Sequence, residues 1–242
     1  MPDFSNRSAD IEIMDDLNCL GPVLEQTLRE LEVINKWLGG NAITIDALDQ
    51  LLITKPESES ISIADLGCGN GDMLKIISAW GKSRGTSLKL VGIDANPNTI
   101  DVAKQNLGAT PTVEFKVMNI FDEEFRQQKF DIVIGTLFYH HFSDHQLIEF
   151  FSQLKKQVRI GFIINDIHRH WLAYFSIKTL TQAFSKSAMV KYDAPLSVLR
   201  AFKKRDLKLI MQASRITNYS IRWKWAFRWQ VVVKCSVNKV RT

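Results

Sequence analysis

The stretch that decides the fold of this chain is ISIADLGCGNGDML, residues 61–74. Its first residues include β-branched apolar side chains, which is typical of a short buried strand. Three glycines then follow on alternate positions, and the chain continues as MLKII, residues 73–77, with the apolar spacing of a helix. A strand, a glycine loop and a helix in this order predict the beginning of a nucleotide-binding βαβ unit.

The residues of the glycine loop argue against two kinds of phosphate-binding site and favour a cationic ligand. The spacing is Gly-x-Gly-x-Gly, which differs from the Gly-x-Gly-x-x-Gly that binds a pyrophosphate at a helix N-terminus. The Gly-Lys-Ser/Thr of a phosphate-binding P-loop is missing from the loop. Asp65 stands two residues before the first glycine, at the expected carboxyl end of the strand. A carboxylate there would repel a phosphate and attract an ammonium or sulfonium group.

A second strand, LKLVGID at residues 88–94, also ends in an acidic residue. Asp94 follows Gly71 by 94 − 71 = 23 residues, close to the ~20 typical of an acid that binds ribose hydroxyls. Its carboxylate can accept hydrogen bonds from both hydroxyls. Apolar runs within residues 113–122, 130–137 and 158–166 predict three more strands. The pattern therefore indicates an open α/β sheet.

The stretch from Asp65 to Gly71 resembles motif I of the class I S-adenosylmethionine (SAM) dependent methyltransferases, and Asp94 fits their second motif. The resemblance covers most of the chain from Ile61 onward and is most marked to bacterial small-molecule methyltransferases of ubiquinone and menaquinone biosynthesis. It implies a Rossmann-like, doubly wound, seven-stranded sheet that is mostly parallel and ends in an antiparallel C-terminal hairpin. It also implies SAM as the cofactor.

The same resemblance implies which residues bind SAM. They follow the first three strands: Asp65, Gly67, Gly69, Gly71, Asp94, Ala95, Asn119 and Ile120. Asn119 stands where the family often has Asp. Its carbonyl oxygen can still accept a hydrogen bond from the 6-amino group of adenine.

Two regions lie outside the central sheet. Residues 1–60 are expected to form an N-terminal helical cap, with helices within 10–20, 22–38 and 41–52 and a loop at 55–60. Residues 61–242 are expected to form the methyltransferase domain, with a substrate-binding insertion at about 167–200 and closing strands within 216–225 and 229–236. The cap either covers cofactor and substrate or only packs against the sheet.

Histidines follow the fourth and fifth predicted strands, at His140 and His168. Methyl transfer from a sulfonium requires the protein to orient the acceptor and to remove its proton. Histidine is well suited to accept a phenolic proton near neutral pH. Asp166 lies two residues before His168 and could orient its imidazole. We therefore expect His168→Ala to lower turnover more than His140→Ala.

The acceptor is predicted from the segment after the fifth strand. Residues 171–188 are rich in aromatic and aliphatic side chains, which favours an apolar small molecule such as a phenol, quinone or polyketide-type ring, methylated on oxygen or carbon. The Asn/Asp-Pro-Pro-aromatic motif of base amino-methylases is absent after strand four, so no nucleic acid is expected. A nucleic-acid or protein methyltransferase, an NAD-type Rossmann protein and a SAM-binding module without catalysis remain alternatives.

The composition of the chain indicates its domain number, its use of cysteine and its expected location. The chain has 242 residues, 45% of them hydrophobic, and a formal charge of +5, which fit one α/β domain with a mildly basic surface. Its three cysteines lie far apart, so neither a disulfide framework nor a zinc site is predicted and no metal is expected. Neither a secretory signal nor a membrane-spanning run is predicted, and a cytoplasmic location is expected. Residues 222–229 are rich in aromatic and basic side chains, which would permit peripheral membrane contact, although packing within a closing strand is the favoured explanation of this pattern. The sequence does not indicate the oligomeric state.

Overall fold

The computed structural model describes residues 2–53, 60–108, 110 and 112–235. This part of the chain contains one seven-stranded sheet, made of β1 (Ile61–Leu66), β2 (Leu88–Asp94), β3 (Val113–Val117), β4 (Phe130–Thr136), β5 (Val158–Ile167), β6 (Tyr219–Lys224) and β7 (Arg228–Lys234). Most of the loop predicted at residues 55–60 and the end of the last predicted strand lie outside the described residues.

The strands lie in the order β3-β2-β1-β4-β5-β7-β6. Strands β1 to β5 pair in parallel, and β7 pairs antiparallel with both β5 and β6. The prediction of a mostly parallel sheet that ends in an antiparallel C-terminal hairpin is confirmed. The strand order reverses between β1 and β4. Open α/β sheets bind ligands beyond the carboxyl ends of the strands at such a reversal, which locates the expected site.

Helices cover both faces of the sheet. They are α1 (Gly21–Trp37), α2 (Gly40–Leu52), α3 (Asp72–Ser83), α4 (Pro97–Leu107), α5 (Glu123–Gln127), α6 (Asp144–Gln157), α7 (Trp171–Phe184), α8 (Ala188–Arg200) and α9 (Lys204–Ala213). Short 3₁₀ turns occur at Ile13–Asp15 and Tyr139–His141. Within the described ranges, we find no helix whose length and apolar character would allow it to span a membrane.

The sheet separates two hydrophobic cores. On one face α2 and α3 bury Leu48 and Leu74 against the strands, and on the other face α5 and α6 bury Phe125 and Phe151. Successive strand residues point to opposite faces, so neighbouring residues of β1 belong to different cores. Burial on both sides explains why the central strands are nearly continuous apolar runs, and it fixes the positions of their carboxyl ends.

The first twenty residues depart from the prediction. Residues 10–20 do not form the expected helix; they contain only the 3₁₀ turn. The backbone N–H groups of Ile13 and Met14 donate to the carboxylate of Asp193 on α8, at 2.8 and 3.0 Å. The guanidinium of Arg7 donates to the carbonyl oxygens of His140 and Phe142, at 3.0 and 2.7 Å. These long-range bonds hold residues 2–20, which we call the N-terminal strap, in a largely non-helical conformation.

Candidate active site

A cavity of about 960 Å³ lies beyond the carboxyl ends of β1, β2 and β4. We call it the polar cavity. The N-terminal strap lines one side of it, and α1 lines another. Seven of the eight predicted cofactor-binding residues line its wall: Asp65, Gly67, Gly69, Asp94, Ala95, Asn119 and Ile120.

Gly71, the eighth predicted residue, is not part of the cavity wall and has a structural position instead. It precedes α3 with φ of +80°, and a Cβ there would lie 2.7 Å from Cδ1 of Leu107. Gly67, at the end of β1, has φ of +62°, and a Cβ there would lie 2.2 Å from the ring of Phe138. Both positions therefore require glycine, one to start the helix and one to let the loop pass an aromatic ring.

Of the five aspartates that line the polar cavity, three lie close enough to affect one another: Asp65, Asp72 and Asp94. Burial raises the pKa of Asp65 well above its usual range, and the charges of Asp72 and Asp94 raise it further. Burial also raises the pKa of Asp94, and it raises the pKa of Asp72 to about 6 with help from the charge of Glu32. A cationic ligand would offset this mutual repulsion. Asp72 was not predicted from the sequence; its signal is its position directly after the third glycine.

Backbone contacts orient the remaining polar groups of this cavity. One oxygen of Asp94 accepts a hydrogen bond from the N–H of Asn96 at 3.0 Å. The side-chain oxygen Oδ1 of Asn119 accepts one from the N–H of Phe121, also at 3.0 Å. A carbonyl oxygen has two lone pairs, so this bond leaves Asn119 one acceptor position for a ligand.

A second cavity, of about 310 Å³, adjoins the first. We call it the apolar cavity. It lies between α1, α7, α8 and the turn of the C-terminal hairpin, and its lining includes Ile177, Leu180, Val198 and Phe227. The residues that line both cavities are Met14, Leu31, Leu137, His140 and His141. Leu137 adopts φ of +55°, which is uncommon for a branched side chain and marks this junction as a constrained part of the backbone.

His140 stands where the two cavities meet and is 3% exposed. Its Nδ1 lies 2.7 Å from Oδ1 of Asp166, whose Oδ2 accepts the backbone N–H groups of Tyr139 and His140 at 2.9 and 3.2 Å. Burial alone would raise the pKa of Asp166, but the charge and hydrogen bond of His140 outweigh it, so that pKa is lowered. The ionised carboxylate holds the proton on Nδ1, which leaves Nε2 as the acceptor nitrogen.

His141 and Glu12 lie beside His140. Nδ1 of His141 is 2.6 Å from Oδ1 of Asp15, and Arg200 contacts the other oxygen of Asp15 at 2.5 Å. Oε1 of Glu12 is 3.7 Å from Nε2 of His140. Burial raises the pKa of Glu12 to about 7, against the opposing charge of His141. The sequence did not indicate Glu12 or Asp15, because no local motif marks residues that approach His140 and His141 from more than a hundred positions away.

The structure does not bring His168 to either described cavity. Its Nδ1 accepts a hydrogen bond from the indole N–H of Trp223 at 3.3 Å, and its ring packs edge-on against Trp229 with centroids 4.9 Å apart. Burial lowers the pKa of His168 to about 4, and nearby positive groups contribute. The prediction that Asp166 orients His168 is wrong, because that carboxylate points to His140. The separation arises because β5 extends to Ile167 and carries the next residues past the cavity rim.

Comparisons with known proteins identify the domain and the fold. Residues 63–161 match a protein-family model described as a methyltransferase domain, whereas no curated protein sequence matches the chain. The plantazolicin methyltransferase BpumL, solved with S-adenosylhomocysteine (SAH), has a TM-score of 0.64 and 15% identity, over 88% of this chain and 94% of that one. Human N-acetylserotonin methyltransferase, solved with SAM, has a TM-score of 0.60 and 16% identity, over 87% and 55%. Magnesium protoporphyrin IX methyltransferase from Synechocystis PCC 6803, with bound SAH, has a TM-score of 0.52 and 16% identity, over 84% and 87%.

At these identities the structural likeness shows the fold, and the family model shows the domain. The predicted class I methyltransferase is confirmed, while the finer resemblance to ubiquinone and menaquinone enzymes stays a prediction. The matched residues run from β1 into β5 and include the glycine loop, Asp94 and His140. Residues 63–161 thus form a methyltransferase domain, and the chain has the fold of the class I, SAM-dependent methyltransferases.

Proposed function

We propose that this protein transfers a methyl group from SAM to a hydroxyl oxygen of an apolar small molecule. The observation that carries the proposal is the meeting of two unlike cavities at one buried histidine. The polar cavity combines acidic side chains with aliphatic and aromatic ones, whereas aliphatic and aromatic side chains form most of the wall of the apolar cavity. His140 belongs to both walls.

The residues of the polar cavity fit SAM. Its amino and sulfonium groups are cationic, and Asp65 and Asp72 supply the negative charge that such a ligand needs. Asp94 would accept from the ribose hydroxyls, and Asn119 with Ile120 would contact the adenine. The bound cofactor would supply an activated methyl carbon. The protein's own task is then to place the acceptor oxygen and to remove its proton.

The residues of the apolar cavity suit a small ring compound. A cavity of about 310 Å³ lies in the range of small-molecule sites. Its walls come from α7 and α8, within the insertion predicted to bind substrate, and from α1 of the N-terminal region.

His140 is the base of the proposed reaction. An acceptor hydroxyl at the junction would donate its proton to Nε2 of His140 as its oxygen bonds to the methyl carbon. The bond between that carbon and the sulfur would break, and the electron pair would stay on sulfur, giving neutral SAH. Asp166 acts as a positioning residue, because it fixes the imidazole through Nδ1 and clamps the 3₁₀ turn through two backbone N–H groups. A charge-stabilised imidazole of this kind is a typical general base near neutral pH.

The experiment has two arms: calorimetric titration with SAM and SAH, and turnover on a panel of phenols, hydroquinones and hydroxylated polyketide rings. We expect SAM and SAH to bind and at least one phenolic compound to be methylated on oxygen. Asp94→Asn should weaken SAM binding roughly 10- to 100-fold, since a charged hydrogen bond contributes about 1.5–3 kcal/mol. Asp101→Asn, an exposed aspartate on α4, is the matched control.

Each arm can fail separately. Absence of SAM binding would refute the cofactor assignment. Methylation only of proteins or nucleic acids, with no turnover of the panel, would refute the acceptor class and support the alternatives. Tight SAM binding without turnover of any acceptor would favour a binding module without catalysis.

A further inference from the structure

We propose that Glu12, His140 and His141 form a binding site for one divalent cation of the zinc class, at the junction of the two cavities. A carboxylate oxygen of Glu12 and one ring nitrogen from each histidine lie within 4.8 Å of one another. Two imidazoles and a carboxylate are a ligand set that zinc and similar ions favour. The sequence predicted no metal, because that prediction rested on the spacing of cysteines, and no cysteine is involved here.

The distance between Glu12 and His140 suits an ion better than a water molecule. Oε1 of Glu12 and Nε2 of His140 are 3.7 Å apart, too far for a direct hydrogen bond. An ion about 2.1 Å from both atoms would subtend an angle of about 125°, near the tetrahedral range. A bridging water at about 2.8 Å from both would subtend only about 83°, which is a strained arrangement.

Both histidines are already held as metal-binding histidines usually are. Nδ1 of His140 pairs with Asp166 at 2.7 Å, and Nδ1 of His141 pairs with Asp15 at 2.6 Å. A carboxylate behind each imidazole fixes its tautomer and makes the other nitrogen a stronger ligand. Two adjacent histidines with this same support are an arrangement that one catalytic base does not require.

Glu12 supplies the independent observation that points to a ligand. Its side chain is 3% exposed; Oε2 accepts a hydrogen bond from Ser197 at 2.8 Å, whereas the buried Oε1 has no hydrogen-bond partner. A buried carboxylate oxygen without a partner is costly, and an ion would satisfy it.

The charges around the site allow a divalent ion. Nε of Arg200 lies 3.6 Å from Oε1 of Glu12, but its two terminal nitrogens contact Asp15 and the carbonyl oxygen of His141. Three carboxylates, those of Glu12, Asp15 and Asp166, lie around the two imidazoles. Three guanidiniums face them: Arg200, Arg7, which donates to the carbonyl oxygen of His140 at 3.0 Å, and Arg228, whose charge acts on Asp166. These fixed charges balance, so they do not exclude a divalent ion.

An ion at this position would occupy Nε2 of His140. The proposed base could then no longer accept a proton, so metal binding and methyl transfer would exclude one another. This consequence rests on the proposed function, whereas the metal site itself does not.

The test is titration of the full chain with Co²⁺ and Zn²⁺, followed by absorption and calorimetry. We expect one Co²⁺ to bind per chain and Zn²⁺ to displace it. The bound Co²⁺ should show the visible absorption bands of a four- or five-coordinate site, without the near-ultraviolet bands that thiolate ligands produce. His141→Ala and Glu12→Gln should each weaken binding at least tenfold. His145→Ala is the matched control, because His145 is exposed and also lies beside a carboxylate, Glu149, at 3.8 Å.

Several outcomes would overturn the proposal. They are the absence of stoichiometric binding, thiolate bands that assign the ion to a cysteine, and equal weakening by His145→Ala. Circular dichroism of each variant shows whether it is folded, and Glu12→Gln preserves the shape of the side chain if His141→Ala disturbs the strap. Because binding is measured without any methyl acceptor, failure of the methyl-transfer assay leaves this result unaffected.

Discussion

The loops after β4 and β5 begin alike and end in different environments. Both follow neighbouring parallel strands, and both carry two histidines close together, at His140 and His141 in one and at His168 and His170 in the other. The first pair lines both cavities and contacts three carboxylates. His168 instead packs against Trp229 and accepts a hydrogen bond from Trp223.

The difference follows from what each strand pairs with. β4 stops at Thr136, and the chain turns at once into the 3₁₀ turn that Asp166 clamps through backbone N–H groups. β5 continues to Ile167 because β7 pairs with it antiparallel along its whole second half. The longer strand therefore places its own aspartate against the ring of His140, outside both cavity walls, and carries its histidine beyond the cavities. The length of β5, which depends on its pairing with β7, therefore determines that Asp166 and not His168 contacts the site.

The largest expected effect separates the two histidines directly. His140→Asn should lower kcat by a hundredfold or more with SAM affinity nearly unchanged, because it removes the acceptor nitrogen at the junction. His168→Asn should leave kcat within a few-fold of the wild type. The measurement is steady-state turnover on a confirmed acceptor beside calorimetric SAM binding. A larger loss of kcat in His168→Asn would restore the order predicted from the sequence.

Asp166→Asn should have the next largest effect, lowering kcat about 10- to 100-fold. The amide can still accept the backbone N–H groups, but it cannot stabilise the imidazolium that forms when His140 takes a proton. The acidic limb of the rate profile should also change its pH dependence, which a purely structural loss would not produce. Asp131→Asn is a suitable control, because Asp131 accepts a backbone N–H from Ser62 on a neighbouring strand, outside both cavities. Equal kcat losses in the two variants would contradict a positioning role.

Much of the fold could be predicted because its signals are local. The glycine stretch, the acids Asp65 and Asp94 and the apolar runs mark β1, β2, β4 and β5 within a residue or two. The third strand begins at Val113 as predicted but ends at Val117, before the end of its predicted range. The N-terminal strap could not be predicted, since residues such as Ile13 and Met14 are held by Asp193, 180 and 179 positions away. For the same reason Glu12 could not be assigned to the site.

The smallest expected effect concerns the loop after β5, where His168 should make the free energy of unfolding depend on pH. The pKa of His168 is lowered to about 4 by burial, from an ordinary value of 6.5, so the unfolded chain binds a proton there more readily than the folded chain. Between about pH 6.5 and pH 4 the unfolded state therefore gains a proton that the folded state does not, and stability falls as the pH falls. His168→Gln removes this titration and retains an acceptor for Trp223. We expect the variant to lose less stability than the wild type between pH 7.5 and 5, by on the order of 1 kcal/mol after allowance for the half-buried ring. Urea unfolding at the two pH values measures the difference, with the exposed His145→Gln as control. The same loss of stability with acid in His168→Gln and the wild type would show that this imidazole is as free to take up a proton in the fold as in the unfolded chain.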